Sequence, residues 1–315
     1  MAYLYAVQAT IYKSTGSWYA AKTEAGDFLQ ARIKGIFKKD DDITSTNPIA
    51  VGDEVTLSLE QDEEAAAMIT GISDRKNYIV RASPHGKHKK HIVAANLDQA
   101  VLVCTVKEPR TSQGFIDRFL VTAAAYHIPA VLIFNKMDVY KDKEMEKFEH
   151  WKTVYESMGY QVLLTAAGAG AGMEEVQAML HHKTSLISGH SGVGKSTIIN
   201  RLLPDLKLKT KNVSGWSGKG LHTTTFAEMF DLPDGGRLID TPGVREFGIV
   251  DIPKTELSQY FLDMRPFLPN CQFNNCQHLD EPDCAVKDAV EAGILDMERY
   301  LSYVAIWHTI EDKSY

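Results

Sequence analysis

The pattern of apolar and polar positions first predicts a series of short strands. Up to about residue 73, short apolar runs alternate with glycine and aspartate turns, which is typical of β-structure. Five strands are predicted, at residues 4–11, 18–23, 28–37, 54–59 and 66–72. Because five short strands fit a small closed barrel, we expect an OB-fold-like β-barrel over residues 1–73.

From residue 98 to residue 250 the pattern changes to buried strands alternating with amphipathic helices, which predicts an α/β domain with an open sheet. Strands are predicted at residues 99–106, 130–134, 161–164, 184–188, 226–232 and 237–239. Helices are predicted at residues 115–126, 141–158, 173–182 and 198–203. Residues 251–315 form a C-terminal module with one or two helices between residues 288 and 310, and Trp307 is expected to pack inside it.

Composition and charge indicate an ordinary globular protein with an uneven distribution of charge along the chain. The 315 residues are 44% hydrophobic and carry a formal net charge of −7. Residues 1–73 hold 6 Lys and Arg against 11 Asp and Glu, and residues 251–315 hold 5 against 12, so positive charge is concentrated centrally. Since no apolar run approaches the roughly 18 residues of a membrane span and the N-terminus does not resemble a signal peptide, we expect a soluble, cytoplasmic protein.

Residues 74–97 are predicted to be a basic linker between the barrel and the α/β domain. From Arg75 to Leu97 the segment contains several lysines, arginines and histidines and no acidic residue, and Pro84 and Gly86 interrupt it. A solvated linker and a contact with a phosphate backbone are equally compatible with this composition.

The most specific motif is G-x-x-x-x-G-K-[ST], which lies between a predicted strand and a predicted helix. Its glycines let backbone N–H groups turn toward a phosphate, and the helix that follows adds its positive N-terminal end. Lys195 is expected to reach the β- and γ-phosphates, and Ser196 to ligate Mg²⁺. The predicted phosphate-binding residues are Gly189, His190, Ser191, Gly192, Val193, Gly194, Lys195, Ser196 and Thr197.

A second motif, N-K-x-D, follows the strand predicted at residues 130–134, at the edge where an open α/β sheet binds ligand. Asp138 can accept hydrogen bonds from guanine N1–H and the 2-amino group, which adenine cannot offer. Asn135 is expected to brace the loop and contact the base, and the Lys136 stem to lie along the base plane. The predicted base contacts are Asn135, Lys136, Met137, Asp138, Thr165 and Ala166.

The segment that begins at Thr165 supports guanine less specifically than N-K-x-D does. It resembles the last guanine-contacting loop of GTPases, usually spelled Ser-Ala-Lys, but only Ala166 fits that spelling well. The glycine and alanine run up to Gly172 is equally typical of a simple turn.

Two further segments supply candidate contacts to Mg²⁺ and the γ-phosphate. Thr224, in a run of threonines before a predicted strand, is predicted to close on both, with Thr223 as the alternative. In the D-T-P-G segment, Asp240 would hold Mg²⁺ through water and the Gly243 amide would contact the γ-phosphate.

The residue that would orient the attacking water is less clearly marked. Many GTPases place a glutamine after D-x-x-G, but this chain has Val244, whose side chain cannot orient water. His222 is the nearest candidate to supply that function, although an exposed loop histidine is an equally good interpretation. The predicted catalytic residues are His222, Lys195 and Thr224.

The order of these motifs indicates a circularly permuted P-loop domain. N-K-x-D and the segment at Thr165 precede the phosphate loop, whereas GTPases normally present them last. The cyclic order is intact, and a sheet tolerates such a change when the old termini lie close together. In this arrangement the second switch leads directly into the C-terminal module, so loss of the γ-phosphate could be transmitted to it.

The C-terminal module carries a candidate metal site with the spacing C-x₄-C-x-H-x₅-C. Three thiolates and one imidazole match a closed tetrahedral structural zinc site. Core cysteines beside an incidental histidine are the alternative, and Cys104, in a predicted buried strand, is interpreted as core. The predicted zinc ligands are Cys271, Cys276, His278 and Cys284.

Taken together, the permuted motifs, the preceding barrel and the Cys-His segment resemble the ribosome small-subunit-dependent GTPase family of bacterial assembly factors. The resemblance covers nearly the whole chain. It implies GTP hydrolysis to GDP, Mg²⁺ and one Zn²⁺ as cofactors, stimulation by the small (30S) ribosomal subunit, contact with its rRNA, action late in its assembly, and a monomer. A guanine-nucleotide-dependent module that binds a protein partner is the alternative function, and Asp138 disfavours an ATP-using phosphotransferase.

Overall fold

The structure is a computed structural model and describes residues 5–33, 48–59, 66–82, 90–206, 227–241 and 252–310. Its first five strands form a closed barrel. β1 pairs with β2 and β4, β3 runs parallel to β5, and β5 returns to β4. The predicted OB-fold-like barrel is therefore confirmed. The strands are β1 Tyr5–Ser14, β2 Tyr19–Thr23, β3 Phe28–Ile33, β4 Glu54–Leu59 and β5 Ala67–Ile72.

The barrel core explains why these strands were readable from the sequence. Ile11, Val55, Leu57 and Ile69 are all fully buried inside it. Each lies on the inward face of a strand whose neighbouring positions are more exposed, which is the alternation that a half-buried strand requires.

The stretch predicted as a basic linker contains an antiparallel hairpin, so the prediction of a simple linker was wrong. Its strands are β6, Tyr78–Ala82, and β7, Lys90–Ala95. Ile79 and Val93 pack into the α/β core, while Val80 and Ile92 are buried against a small cluster with Ala50. The apolar residues between the basic ones therefore bury surface on both sides, and this burial stabilises regular structure.

Within the described residues, the α/β domain has six strands in the order β10-β9-β8-β11-β13-β12, and among these only β12 is antiparallel to β13. A chain that began at β11 would present these elements in the order of an ordinary P-loop domain, so the permutation is confirmed. The strands are β8 Gln99–Cys104, β9 Ala130–Phe134, β10 Gln161–Leu164, β11 Thr184–Ser188, β12 Glu228–Asp231 and β13 Arg237–Asp240.

Helices cover both faces of this sheet. They are α1 Gln113–Ala125, α2 Asp142–Ser157, α3 Met173–Leu180 and α4 Lys195–Leu202. β8 is buried along its whole length, and Cys104 at its end is fully buried, as expected of a core cysteine. Because β8, β9, β11 and β13 are parallel, their carboxyl ends meet at one edge of the sheet, where the candidate motifs begin.

The C-terminal module packs against α1. It begins with 3₁₀ turns at Lys254–Tyr260 and Leu268–Asn270 and continues with helices α5, Ala285–Glu291, and α6, Met297–Thr309. Val121 of α1 belongs to the module's apolar core. Trp307 is half-buried at the edge of that core, and its indole N–H donates to the Gln277 side chain at 3.1 Å.

None of the helices in the described ranges combines the length and apolar character needed to span a bilayer.

Candidate nucleotide-binding site and metal centre

The loop between β11 and α4 has the backbone that its glycines predict. Gly189, Gly192 and Gly194 all have positive φ angles, of 141°, 84° and 101°. A Cβ atom on Gly189 would lie 2.1 Å from the carbonyl oxygen of Val103, and one on Gly194 would lie 2.2 Å from Asn135 Nδ2. Only glycine fits at these two positions, so the loop presses closely against β8 and against Asn135.

Lys195, the first residue of α4, folds back onto this loop. Its ammonium donates to the carbonyl oxygens of Gly189 and, at 2.9 Å, of His190. Burial lowers the pKa of Lys195, and the charge of Asp240 partly offsets this effect. A half-buried cation whose hydrogen bonds go to neutral carbonyls favours the approach of an anion, which can compensate its charge.

The other residues of the loop divide into exposed and buried positions. Ser191 is exposed and Val193 is fully buried in the core. Ser196 and Thr197, in the first turn of α4, are half-buried. The hydroxyl groups therefore lie at the helix N-terminus, which carries partial positive charge.

Asn135 links three loops at the carboxyl edge of the sheet. It is 2% exposed, its amide nitrogen donates to the carbonyl of Val193 at 2.9 Å, and its amide oxygen accepts from the Thr165 hydroxyl at 2.9 Å and the Ala167 N–H at 3.0 Å. The expected bracing role therefore matches the observed contacts, while contact with a base stays a prediction.

The rest of N-K-M-D turns outward from this buried asparagine. Lys136 has a positive φ of 66°, and its ammonium donates to the carbonyl of Glu108 at 2.5 Å. The Met137 N–H donates to the carbonyl of Thr165 at 3.0 Å. Asp138 is exposed, so its carboxylate is accessible to a ligand.

Two residues that sequence reasoning missed fix these loops. The Tyr140 hydroxyl donates to the Asn135 carbonyl at 2.7 Å and accepts from the Val106 N–H at 2.8 Å. Arg201 of α4 donates to the carbonyl of Ala167 at 3.1 Å and to that of Gly168 at 2.6 Å. Arg201 therefore connects the glycine and alanine run after Thr165 to the phosphate-loop helix. No spacing in the sequence predicts this contact.

Asp240 completes the described part of the site. It ends β13 and pairs in register with Ile187 of β11. Burial raises the pKa of its carboxyl group, against the lowering effect of Lys195. The Thr241 hydroxyl beside it is buried and has no hydrogen-bond partner in the described part of the chain.

Several predicted site residues lie outside the described residues: His222, Thr223, Thr224, Gly243 and Val244. The predicted link between the second switch and the C-terminal module also lies there.

The structure brings the four predicted metal ligands together. Their donor atoms all lie within 4.8 Å of one another. The Cys271 sulfur lies 4.0 Å from the Cys284 sulfur and 3.6 Å from His278 Nδ1, and the Cys284 sulfur lies 3.4 Å from that nitrogen. Around tetrahedral zinc, two sulfurs would be about 3.8 Å apart and a sulfur and a nitrogen about 3.5 Å apart. The donor set and its spacing therefore fit one zinc ion.

Other residues hold the ligand-bearing loop in place. The Glu281 carboxylate accepts from the Gln277 N–H at 2.7 Å and the Leu279 N–H at 2.9 Å, and so clamps the backbone on both sides of His278. The Tyr300 hydroxyl of α6 donates to the His278 carbonyl at 2.8 Å. Burial lowers the pKa of His278 and raises that of Cys276 to about 12, so metal binding would release protons from the thiols.

Comparison with known proteins identifies the family. The family model described as RsgA GTPase matches residues 72–250, and that of the RsgA N-terminal domain matches residues 8–67. A small ribosomal subunit biogenesis GTPase RsgA from Flavobacterium psychrophilum is 49% identical over 297 residues, which cover 94% of this chain and 91% of that protein. A protein of the same name from Christiangramia forsetii is 47% identical over 307 residues, 97% of each chain.

Solved structures agree in fold. YjeQ from Thermotoga maritima superposes with a TM-score of 0.78 at 32% identity, over 96% of this chain and 98% of that one. YloQ, described as a circularly permuted GTPase, gives a TM-score of 0.74 at 30% identity, over 99% and 97%. The chain therefore belongs to the RsgA family of circularly permuted GTPases.

Proposed function

We propose that this protein hydrolyses GTP to GDP and phosphate during late maturation of the small (30S) ribosomal subunit, and that the subunit stimulates hydrolysis. The names of its relatives, small ribosomal subunit biogenesis GTPases, support the process. The observation that carries the chemistry is the buried Asn135, whose amide ties the phosphate loop to both candidate base-contacting loops.

In this proposal the loop at residues 189–197 cradles the phosphates. Lys195 exchanges its two carbonyl contacts for the β- and γ-phosphates, which give its half-buried charge a better partner than a neutral oxygen. Ser196 and Thr224 would hold Mg²⁺, Asp240 would hold it through water, and the Gly243 amide would contact the γ-phosphate. When bound, Mg²⁺ neutralises the charge that develops on the phosphate oxygens.

Asp138 selects guanine. Its exposed carboxylate accepts from the N1–H and 2-amino groups of the base, the Lys136 stem lies along the base plane, and Met137, Thr165 and Ala166 are the further base contacts. Exposure of Asp138 and burial of Asn135 support this division, because one residue meets the ligand and the other fixes the loop.

His222 orients the attacking water in this proposal, with Lys195 and Thr224 as the other catalytic groups. Since Val244 offers no hydrogen bond to water, hydrolysis by the protein alone should be slow. Docking on the subunit would then bring His222 into position.

Cys271, Cys276, His278 and Cys284 hold one structural Zn²⁺ in the proposed holoprotein. Their donor spacing supports this assignment, and a Cys₃His set leaves no open position for catalysis at the metal. The protein is proposed to work as a monomer in the cytoplasm, where its target matures.

Contact with rRNA is assigned to the lysines of the sequence between β6 and β7 and at the first residue of β7. Arg75 is buried in an ion pair with Asp53 at 2.6 Å, and Lys76 pairs with Asp98 at 2.8 Å. Because both cations already have an acidic partner, the lysines at 87, 89 and 90 are the better candidates for phosphate contacts.

Co-sedimentation with purified small subunits tests this function. With a non-hydrolysable GTP analogue the protein should bind the subunits, and with GDP it should dissociate. Reversal of Lys87, Lys89 and Lys90 to Glu should weaken binding at least about tenfold and flatten its salt dependence. The control is reversal of Lys143 and Lys152 on α2. Subunit binding that is the same with the GTP analogue and with GDP would contradict the proposal. An equal loss of binding in the two charge-reversal variants would also contradict it.

A further inference from the structure

The first turn of α1 contacts the phosphate loop. Phe115 stacks on His190, with ring centroids 3.8 Å apart and an interplanar angle of 29°. The Ser112 hydroxyl caps the helix by accepting from the Phe115 N–H at 3.3 Å, which fixes the turn that carries the ring. Pro109, just before the helix, lies against Gly192, where an added Cβ would be 3.6 Å from Pro109 Cδ. The first turn of α1 and the segment just before it therefore each contact the loop at one position.

The contact at His190 bears on the lysine of the loop. The His190 carbonyl accepts from the Lys195 ammonium at 2.9 Å. A stacked pair of flat rings restricts the orientation of both, so Phe115 restricts the residue whose backbone holds Lys195.

Another face of α1 is locked to the C-terminal module. Asp117 Oδ1 accepts from Arg299 Nη1 of α6 at 2.6 Å, and Arg299 Nη2 donates to Asp263 at 2.7 Å. Arg299 is 1% exposed and Asp117 is fully buried. Because neither charge reaches water, separating the pair leaves a buried charge uncompensated, which is strongly unfavourable. Helices α1 and α6 are therefore expected to move as one unit.

The same first turn of α1 also contacts the start of α6. The Gln113 side chain donates to Asp296 at 3.2 Å and accepts from the Trp151 indole N–H at 2.8 Å. Asp296 is the N-cap of α6, since it accepts from the Arg299 N–H at 2.9 Å. One turn of helix, residues 113–115, therefore contacts both the N-cap of α6 and the phosphate loop.

We propose that Phe115 is a positioning residue that couples the phosphate loop to the C-terminal module. Phe115 fixes the orientation of His190, and the packing of α1 against α6 fixes the position of Phe115. Nucleotide binding orders the loop and thereby stabilises α6. Since coupling is reciprocal, displacement of the module changes nucleotide affinity by the same factor. The coupling belongs to the chain alone and does not depend on the ribosomal subunit.

Calorimetric titration with GDP tests the stack in the full-length, zinc-loaded protein. Phe115→Leu and His190→Ala should each weaken GDP binding about 3- to 10-fold, the range that one stacked aromatic pair supports. The double variant should bind GDP at most about twofold more weakly than either single variant, because both substitutions remove the same contact. Phe115→Tyr, which keeps a ring, should bind as the wild type does. Effects that multiply in the double variant would overturn the proposal.

Hydrogen exchange tests the coupling to α6. In the wild type, GDP should slow exchange of amides in Met297–Thr309, and Phe115→Leu should abolish this response at saturating GDP. Tyr126→Leu is the matched control, since it removes a ring that pairs with Tyr78 at the other end of α1. It should lower the melting temperature and keep the response of α6. The proposal would be overturned if GDP did not change amide exchange in α6 of the wild type. It would also be overturned if Phe115→Leu kept the wild-type response.

Discussion

Asp138→Asn is expected to lower GTP affinity by about 100-fold or more and to transfer preference to xanthosine triphosphate. The carboxylate accepts two hydrogen bonds from guanine in this account, and a hydrogen bond to a charged group contributes about 1.5–3 kcal/mol. The amide of asparagine would instead present an N–H donor to the guanine 2-amino group, which is also a donor, so this hydrogen bond is lost. Xanthine carries an oxygen at that position and can accept the hydrogen bond. Competition titrations with GTP, xanthosine triphosphate and ATP measure the change.

Asp142→Asn is the matched control for this substitution. Asp142 is also exposed and lies four residues further along, in the first turn of α2. Its loss should cost about 0.3–1 kcal/mol of helix stability at most and leave nucleotide preference unchanged. If Asp138→Asn bound GTP as tightly as the wild type, base recognition would have to come from another part of the site.

Cys284→Ala is expected to abolish stoichiometric zinc binding and to unfold the C-terminal module locally. The Cys284 sulfur lies within 4.0 Å of both the Cys271 sulfur and His278 Nδ1, so its removal leaves three donors. Structural zinc contributes about 10–16 kcal/mol of apparent binding free energy in small zinc domains. Zinc content by elemental analysis should fall from one ion per chain, and the melting temperature should fall with it.

Cys104→Ala provides the comparison, because Cys104 is a fully buried core cysteine in β8. It should retain one zinc ion per chain while losing some stability through the cavity it leaves. A wild type without zinc, or a Cys284→Ala protein that keeps a full ion, would contradict the assignment.

Much of this architecture was predictable because the relevant signals are local. Glu54–Leu59, Ala130–Phe134 and Thr184–Ser188 have the predicted bounds. The first alternates buried and more exposed positions, and the other two are short stretches with buried apolar centres, so each pattern is contained within a few residues. The predicted metal ligands could be found for a similar reason, because their spacing within one short loop limits how far apart they can lie.

The hairpin at residues 78–95 was missed because its strands lack a period-two pattern of apolar and polar positions. Val80 and Ile92 are buried on one side and Ile79 and Val93 on the other, so the strands have no polar face to mark them. A strand buried on both faces lacks the alternation by which a half-buried strand is recognised.

The residues that hold the site together were not predictable from spacing either. Arg201 meets Ala167 across 34 positions of sequence, and Arg299 meets Asp117 across 182. Tyr140 lies close to its motif, but an aromatic residue after a strand is ordinary core material. Such contacts depend on how elements pack together, which local pattern does not determine.

The central claim is that this permuted GTPase turns over slowly alone and rapidly on its target. The most direct test is the steady-state rate of GTP hydrolysis with and without purified small ribosomal subunits, with large subunits as the control. We predict a rise in the wild type of at least about 10-fold with small subunits only, and little rise in His222→Ala, since an oriented general base or water-positioning group typically contributes about 10²–10⁴-fold. Equal wild-type rates with and without small subunits would contradict the account.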